Sequence, residues 1–117
     1  MKLPSSIAVD KKGDIIIASS NDHSIYKAGL NQSFEEYIAG IVYNSELINP
    51  SGIDVDTDGK VYVSDKDNDR IFAKEKNKYK NIIDSNSGFK SPSALRALKN
   101  GSIVAVCDDG QSVKRVS

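Results

Sequence analysis

Between Asn49 and Ala73 the chain alternates apolar and polar residues with a period of two. Ile53 and Val55 alternate with Asp54 and Asp56, as on a half-buried strand. Asp58-Gly59 then signals a hairpin turn, because glycine supplies the positive φ such turns need. Val61-Tyr62-Val63 reads as a second strand, rich in residues that pack well on a pleated surface. The polar stretch Asp65 to Arg70 reads as a loop, and Ile71-Phe72-Ala73 as a third strand. Tyr79 to Ile83 predicts a weaker fourth strand. No segment sustains a helical period. Ser93 to Leu98 has helix-friendly residues, but its register with the rest of the chain makes it a strand.

That register comes from repetition. Pro4, Pro50 and Pro92 stand 46 and 42 residues apart. Three positions after each comes Ile7, Ile53 or Leu95; nine after comes Gly13, Gly59 or Gly101. Ile15, Val61 and Ile103 follow those glycines by two, and Ile25, Ile71 and Val113 by twelve. About four strands per unit of this length is the signature of a propeller blade. The expectation is an all-β chain: a partial β-propeller of about three four-stranded antiparallel blades, the last lacking its outer strand. The blades run over about residues 3–40, 50–84 and 92–117 of a single domain spanning 1–117. Phe34 to Ile38 is the fourth strand of blade one. Ile41 to Asn49 connects blades one and two with no structure of its own, and Ser85 to Ser91 is a polar loop.

Composition narrows the picture. The 117 residues are 38% hydrophobic and 27% charged, which suits a folded globular chain. Sixteen basic and sixteen acidic residues cancel, so no bulk field favours nucleic acid or anionic lipid. The first residues contain no long apolar run, so neither a signal peptide nor a membrane span is expected there. A cytoplasmic location follows if the chain is complete. Cys107 is the one cysteine, so no intramolecular disulfide forms, and its strand context predicts a buried thiol.

The central stretch PSGIDVDTDGKVYVSDKDNDRI resembles an NHL repeat. Pro50, Gly52, Ile53, Val55, Asp56, Gly59, Tyr62, Val63, Asp65, Asn68, Arg70 and Ile71 match the pattern of that family. Blade one departs at Ser6 and Ser24, and blade three at Ala94, Leu98 and Ser112. The resemblance implies a binding or interaction module that uses its loop face for a protein or small ligand. The alternative it implies is a fragment of a six-bladed propeller enzyme, of lactonase or lyase type, with a metal in the channel. Too few metal ligands converge here for the enzyme reading to lead. NHL propellers usually close with six blades, whereas this chain supplies three. It is then a fragment, a homodimer that completes a six-bladed ring, or an open stack of three repeats.

Candidate chemistry sits in the turns and loops. Asp54, Asp56 and Asp58, with Gly59, have the spacing of a calcium loop. The flanking strand pattern and the sister turns KKG and KNG, which lack the carboxylates, favour a plain hairpin, so no metal is assigned and calcium is the weak candidate. The loops after each second strand, SNDHS, KDNDR and DDGQS, gather at one mouth of a propeller. They offer Asn21, His23, Asp67, Asn68 and Arg70 as ligand-binding candidates, with Asp65 and Arg70 expected to pair within blade two. His23, the lone histidine, has no partner in sequence for a transition metal. No catalytic residue stands out. The basic run Lys74 to Lys80 reads as a solvated loop, and neither nucleic acid nor a membrane is expected as a partner.

Overall fold

The computed structural model describes residues 3–42 and 45–116. Met1, Lys2, Tyr43, Asn44 and Ser117, which the sequence reading places at the domain ends and inside the first connection, lie outside the described residues. Blade one contains β1 (Pro4–Val9), β2 (Ile15–Ser19), β3 (Ser24–Ala28) and β4 (Glu35–Ala39). A small hairpin follows, β5 (Ile41–Val42) with β6 (Ser45–Glu46). Blade two contains β7 (Pro50–Val55), β8 (Val61–Asp65), β9 (Arg70–Glu75) and β10 (Lys78–Ile83). Blade three contains β11 (Ala94–Ala97), β12 (Ile103–Cys107) and β13 (Ser112–Val116). Each blade is an antiparallel meander, and the three do not close into a ring among the described residues. No described helix is long and apolar enough to cross a membrane.

The three hairpin turns repeat closely. Gly13, Gly59 and Gly101 have φ of 91°, 87° and 88°, values that disfavour any side chain. Asp56 Oδ1 accepts from the Asp58 and Lys60 amides, as Asp10 Oδ1 does from Lys12 and Asp14. Leu98 occupies the equivalent place in blade three, and there Asn100 accepts from the Ser102 amide instead. Strand alternation then does the rest. In blade two, Ile53, Val61, Val63 and Phe72 point toward blade one and meet Ala8, Ile16, Ala18, Ile25 and Ile38. Their neighbours Tyr62, Ile71, Ala73 and Ile83 point the other way, onto Leu95, Ile103, Ala105 and Cys107. The central blade therefore feeds two separate cores from adjacent residues of the same strands.

The innermost strands approach closely. A Cβ on Gly52 would come within 2.8 Å of Ala94 Cα and 3.1 Å of the Leu95 amide. Gly52 thus makes room for β11, although its own φ is unremarkable. Asp54 also reaches across: its Oδ2 accepts from the Ala97 amide at 2.7 Å.

Two sequence expectations need correction. The connection after blade one is not structureless: β5 pairs with β6, and the Leu47 amide donates to the Gly40 carbonyl, closing the loop. Two-residue strands are too short to show alternation, so the sequence carries no sign of them. The run Lys74 to Lys80 is likewise not one solvated loop. Lys74 lies on β9 with its Nζ 3.9 Å from the Tyr37 ring centroid and 3.4 Å from the Tyr37 carbonyl of blade one. Burial, and then Lys27 nearby, push the Lys74 ammonium below its usual pKa.

Candidate functional site

The loops after β2, β8 and β12 share one end of the molecule, opposite the glycine hairpins. The first two are single 3₁₀ turns, Ser20–Asp22 and Lys66–Asn68, each closed by a left-handed residue, His23 (φ 55°) or Asp69 (φ 51°). The third turns through Asp108, Asp109 and Gly110, all with positive φ. The connection between blades one and two crosses the same end and carries β5 and β6.

Five of the sequence candidates divide here into two groups. Arg70 is buried, and every nitrogen of its guanidinium donates. Nη1 donates to the Val42 carbonyl, Nη2 to the Ser45 carbonyl at 3.0 Å, and Nε and Nη2 to Asp65 Oδ2 at 3.2 and 3.1 Å. Asp65, also buried, accepts further from the Ile48 and Asn49 amides and from Asn68 Nδ2. Asn68 Nδ2 in addition donates to the Glu46 carbonyl at 2.7 Å. Asp65, Asn68 and Arg70 thus form one satisfied cage around the β5–β6 connection. The Asp65–Arg70 pair is the one the sequence suggested; the grip on the connection is what it concealed. His23 belongs with them, because its Nδ1–H donates to the Ile48 carbonyl.

Asn21 and Asp67 form the second group. Both are exposed, and Asp67 Oδ2 takes one hydrogen bond from Asn49 Nδ2 at 3.3 Å. Beside them stand residues that the polar-loop argument passed over: exposed Ile41 and Ile48 on the connection, and Asp109, 3.8 Å from Lys66 Nζ across the gap between blades. Isolated apolar residues within a polar connection give no periodic signal, so nothing in the sequence singled them out. Asp69 was also missed; its Oδ1 accepts from the Ser91 amide on the second connection. Its signal was available, since Asp69 lies 46 residues after His23 and does the same work.

At the opposite end, Asp54 accepts from the Val55 and Ala97 amides, and Asp56 from the Asp58 and Lys60 amides through Oδ1 and from the Tyr62 hydroxyl through Oδ2, while Asp58 is exposed. A cleft of about 140 Å³ separates this hairpin from that of blade three, lined by Val55, Asp56, Asp58, Leu98 and Lys99 among others. Among the described residues, no three His, Cys, Asp or Glu side chains stand together as a metal site. Cys107 is buried, and that burial raises its thiol pKa against a smaller opposing effect of Lys114.

The comparisons agree with this architecture. The sequence matches no curated protein. Among solved structures, the chain is similar to virginiamycin B lyase from Staphylococcus aureus, with a TM-score of 0.73 and 20% identity over 97% of this chain and 38% of that one. It is also similar to hydrazine synthase of Kuenenia stuttgartiensis (TM-score 0.75, 18% identity, 100% of this chain and 34% of that one). A chain of the nidogen/laminin complex gives a TM-score of 0.74 at 17% identity, over 97% of this chain and 48% of that one. This chain therefore spans between a third and a half of the structures it resembles, and at these identities the likeness is one of fold. The family model described as NHL repeat matches residues 47–73. That match covers the central blade from Leu47 through Ala73, so residues 47–73 are an NHL repeat, set within a partial β-propeller of three blades.

Proposed function

We propose that this propeller module binds a protein partner through its loop end. The observation that carries the reading is the division just described. Asp65, Asn68 and Arg70 are consumed in fixing the connection, exposed His23 adds one hydrogen bond to it, and what they fix is a firm platform bearing Ile41, Ile48, Asn21 and Asp67 at its surface. Exposed apolar side chains ringed by polar ones, on a rigid support, suit a protein interface. A small ligand is the narrower variant of the same reading. The enzyme-fragment reading draws support from the fold shared with the lyases, but that likeness names no reacting group in this chain.

The test is a peptide-library selection against the immobilised chain, followed by affinity measurement of the enriched peptides. Ile41→Asp and Asp67→Lys are each expected to weaken binding by about tenfold, roughly 1.4 kcal/mol. Enriched peptides that bind both variants as tightly as the parent would overturn the proposal.

A further inference from the structure

The outer strand of blade two differs from the rest of the surface in charge. The β9–β10 hairpin turns through Lys76 and Asn77, with Glu75 paired opposite Lys78. Lys74, Lys76, Lys78 and Lys80 all lie on it, and none of the four forms an ion pair among the described residues. Lys27, Lys66 and Lys114 elsewhere each do. Glu75 is the lone acidic residue of the hairpin. The chain has equal numbers of acidic and basic residues, so this excess is local. Lys74 is held between the blades by the Tyr37 ring, whereas Lys76, Lys78 and Lys80 are exposed.

β10 is also the free edge of its sheet, whose order is β10-β9-β8-β7. Every second residue of such a strand turns its amide and carbonyl away from its neighbour. Further blades stack on the faces of a propeller, so an outer edge of this kind stays open whatever the length of the chain. Bulges and lysines are the usual devices that keep edges from pairing. The bulge in β10 falls between Asn81 and Ile83, at its end, and leaves Lys78 to Asn81 in unbroken register with Glu75 to Phe72. The outer strand of blade one is different: β4 is broken in its middle, between its pairs Ile25–Ile38 and Tyr26–Glu36. The β10 edge is firm as well. The Tyr79 ring meets Phe72 edge-on at 6.0 Å, on the side facing blade one. Lys78 and Lys80 alternate with Tyr79 and so turn to the opposite side of the strand.

We propose that β10 accepts an acidic, extended segment of a partner protein as an added strand. Backbone hydrogen bonds along Lys78 to Asn81 supply the attachment. Carboxylates at alternate positions of the segment stand beside Lys78 and Lys80, as opposite charges do across neighbouring strands. Those lysines repel a second β10 edge, so the charge that bars self-pairing also selects an acidic strand. Nucleic acid offers the charge but no strand to continue the ladder. The β9–β10 turn lies at the end opposite the loops, and the inference does not require the loop-end reading.

The probe is a short fluorescent peptide that alternates glutamate and valine, titrated with the chain and read by anisotropy. Saturable binding that weakens with added salt is expected. The double variant Lys78→Glu/Lys80→Glu should bind it about tenfold more weakly. Lys12→Glu/Lys99→Glu, an equal change of charge at exposed positions elsewhere, should leave binding unchanged, as should Ile41→Asp. Circular dichroism should show all three variants folded. The same peptide N-methylated at every amide keeps its charge but cannot donate to the ladder, and it should not bind. No binding by the parent chain, equal binding of the N-methylated peptide, or equal weakening in the two lysine variants would each overturn the proposal. So would oligouridylate that binds more tightly than the peptide and depends on Lys78 and Lys80.

Discussion

The two connections between blades solve one problem in opposite ways. Each must cross the loop end and set the next proline in place. Before blade two the connection is a small hairpin, and blade two grips it with a buried ion pair, Asp65 and Arg70, plus Asn68. Before blade three the connection is shorter, and Cys107 and Ser112 stand where Asp65 and Arg70 would be. There Phe89 packs against the cluster that contains Cys107, and Lys114 lies over the Phe89 ring at 5.3 Å. Leu47 and Phe89, each three residues before a proline, are the matching apolar anchors. The difference teaches what the charges are for. A buried pair adds little net stability over an apolar replacement, but it supplies many directed hydrogen bonds. A hairpin with several bare amides and carbonyls takes them from a buried pair; the compact connection, plugged by an aromatic ring, takes fewer and from less buried groups, Lys114 Nζ donating to the Gly88 carbonyl and Asp69 accepting from the Ser91 amide.

The largest expected effect comes from breaking the cage on one side. Asp65→Ala leaves the Arg70 guanidinium buried without its anion, at a cost of about 3–5 kcal/mol in urea unfolding. Arg70→Ala should cost a similar amount. The double variant Asp65→Cys/Arg70→Ser, which installs blade three's residues, should cost less than the two single losses together, because no charge is left stranded. Equal or greater loss in the double variant would refute the comparison.

Next come the anchors. Leu47 is almost fully buried, so Leu47→Ala should cost about 2–4 kcal/mol, within the range for removing a core leucine. Phe89 is only half-buried, and Phe89→Ala should cost less in the same measurement. A reversed order would mean that the aromatic plug carries more than the cage.

A smaller effect is expected from pH. Burial raises the Cys107 pKa, so the folded chain holds that proton more tightly than the unfolded chain does. The resulting stabilisation is present below the unfolded thiol's pKa and is lost as pH rises through the folded value. Urea midpoints measured from neutral to alkaline pH should therefore fall more steeply for the parent than for Cys107→Ala. Identical slopes would show that the thiol titrates as it does in the unfolded chain. The smallest effect is that of calcium. With Asp54 and Asp56 already committed to amides, millimolar calcium should leave the thermal midpoint unchanged. A clear rise would restore the Asp54, Asp56 and Asp58 hairpin as a metal site.

Much of the fold was legible because prolines, turn glycines and apolar positions recur in register, each carrying its own physical requirement. Blade order, the number of strands within each blade and the three-stranded third blade all followed from that register. The loop end was less legible. His23 looks like a free functional group in sequence, and Arg70 like the partner of Asp65 alone, yet each also bonds a backbone carbonyl, 25 residues downstream for His23 and 28 upstream for Arg70. Carbonyls have no sequence identity, so residue types alone could not pair them. The platform residues Ile41 and Ile48 were hidden for a related reason: their exposure depends on a hairpin too short to announce itself.

Adjacent residues of the central blade supply different cores, so blade two is sandwiched while blades one and three are each covered on one side by this chain. In a stack where every unit contacts only its neighbours, the doubly covered unit opens last. In a single copy of this chain, amide protons of β8 and β9 should therefore exchange with solvent most slowly, and blades one and three should fray ahead of them. The best-preserved repeat is thus also the kinetic anchor of the stack, the part from which the rest is progressively shed.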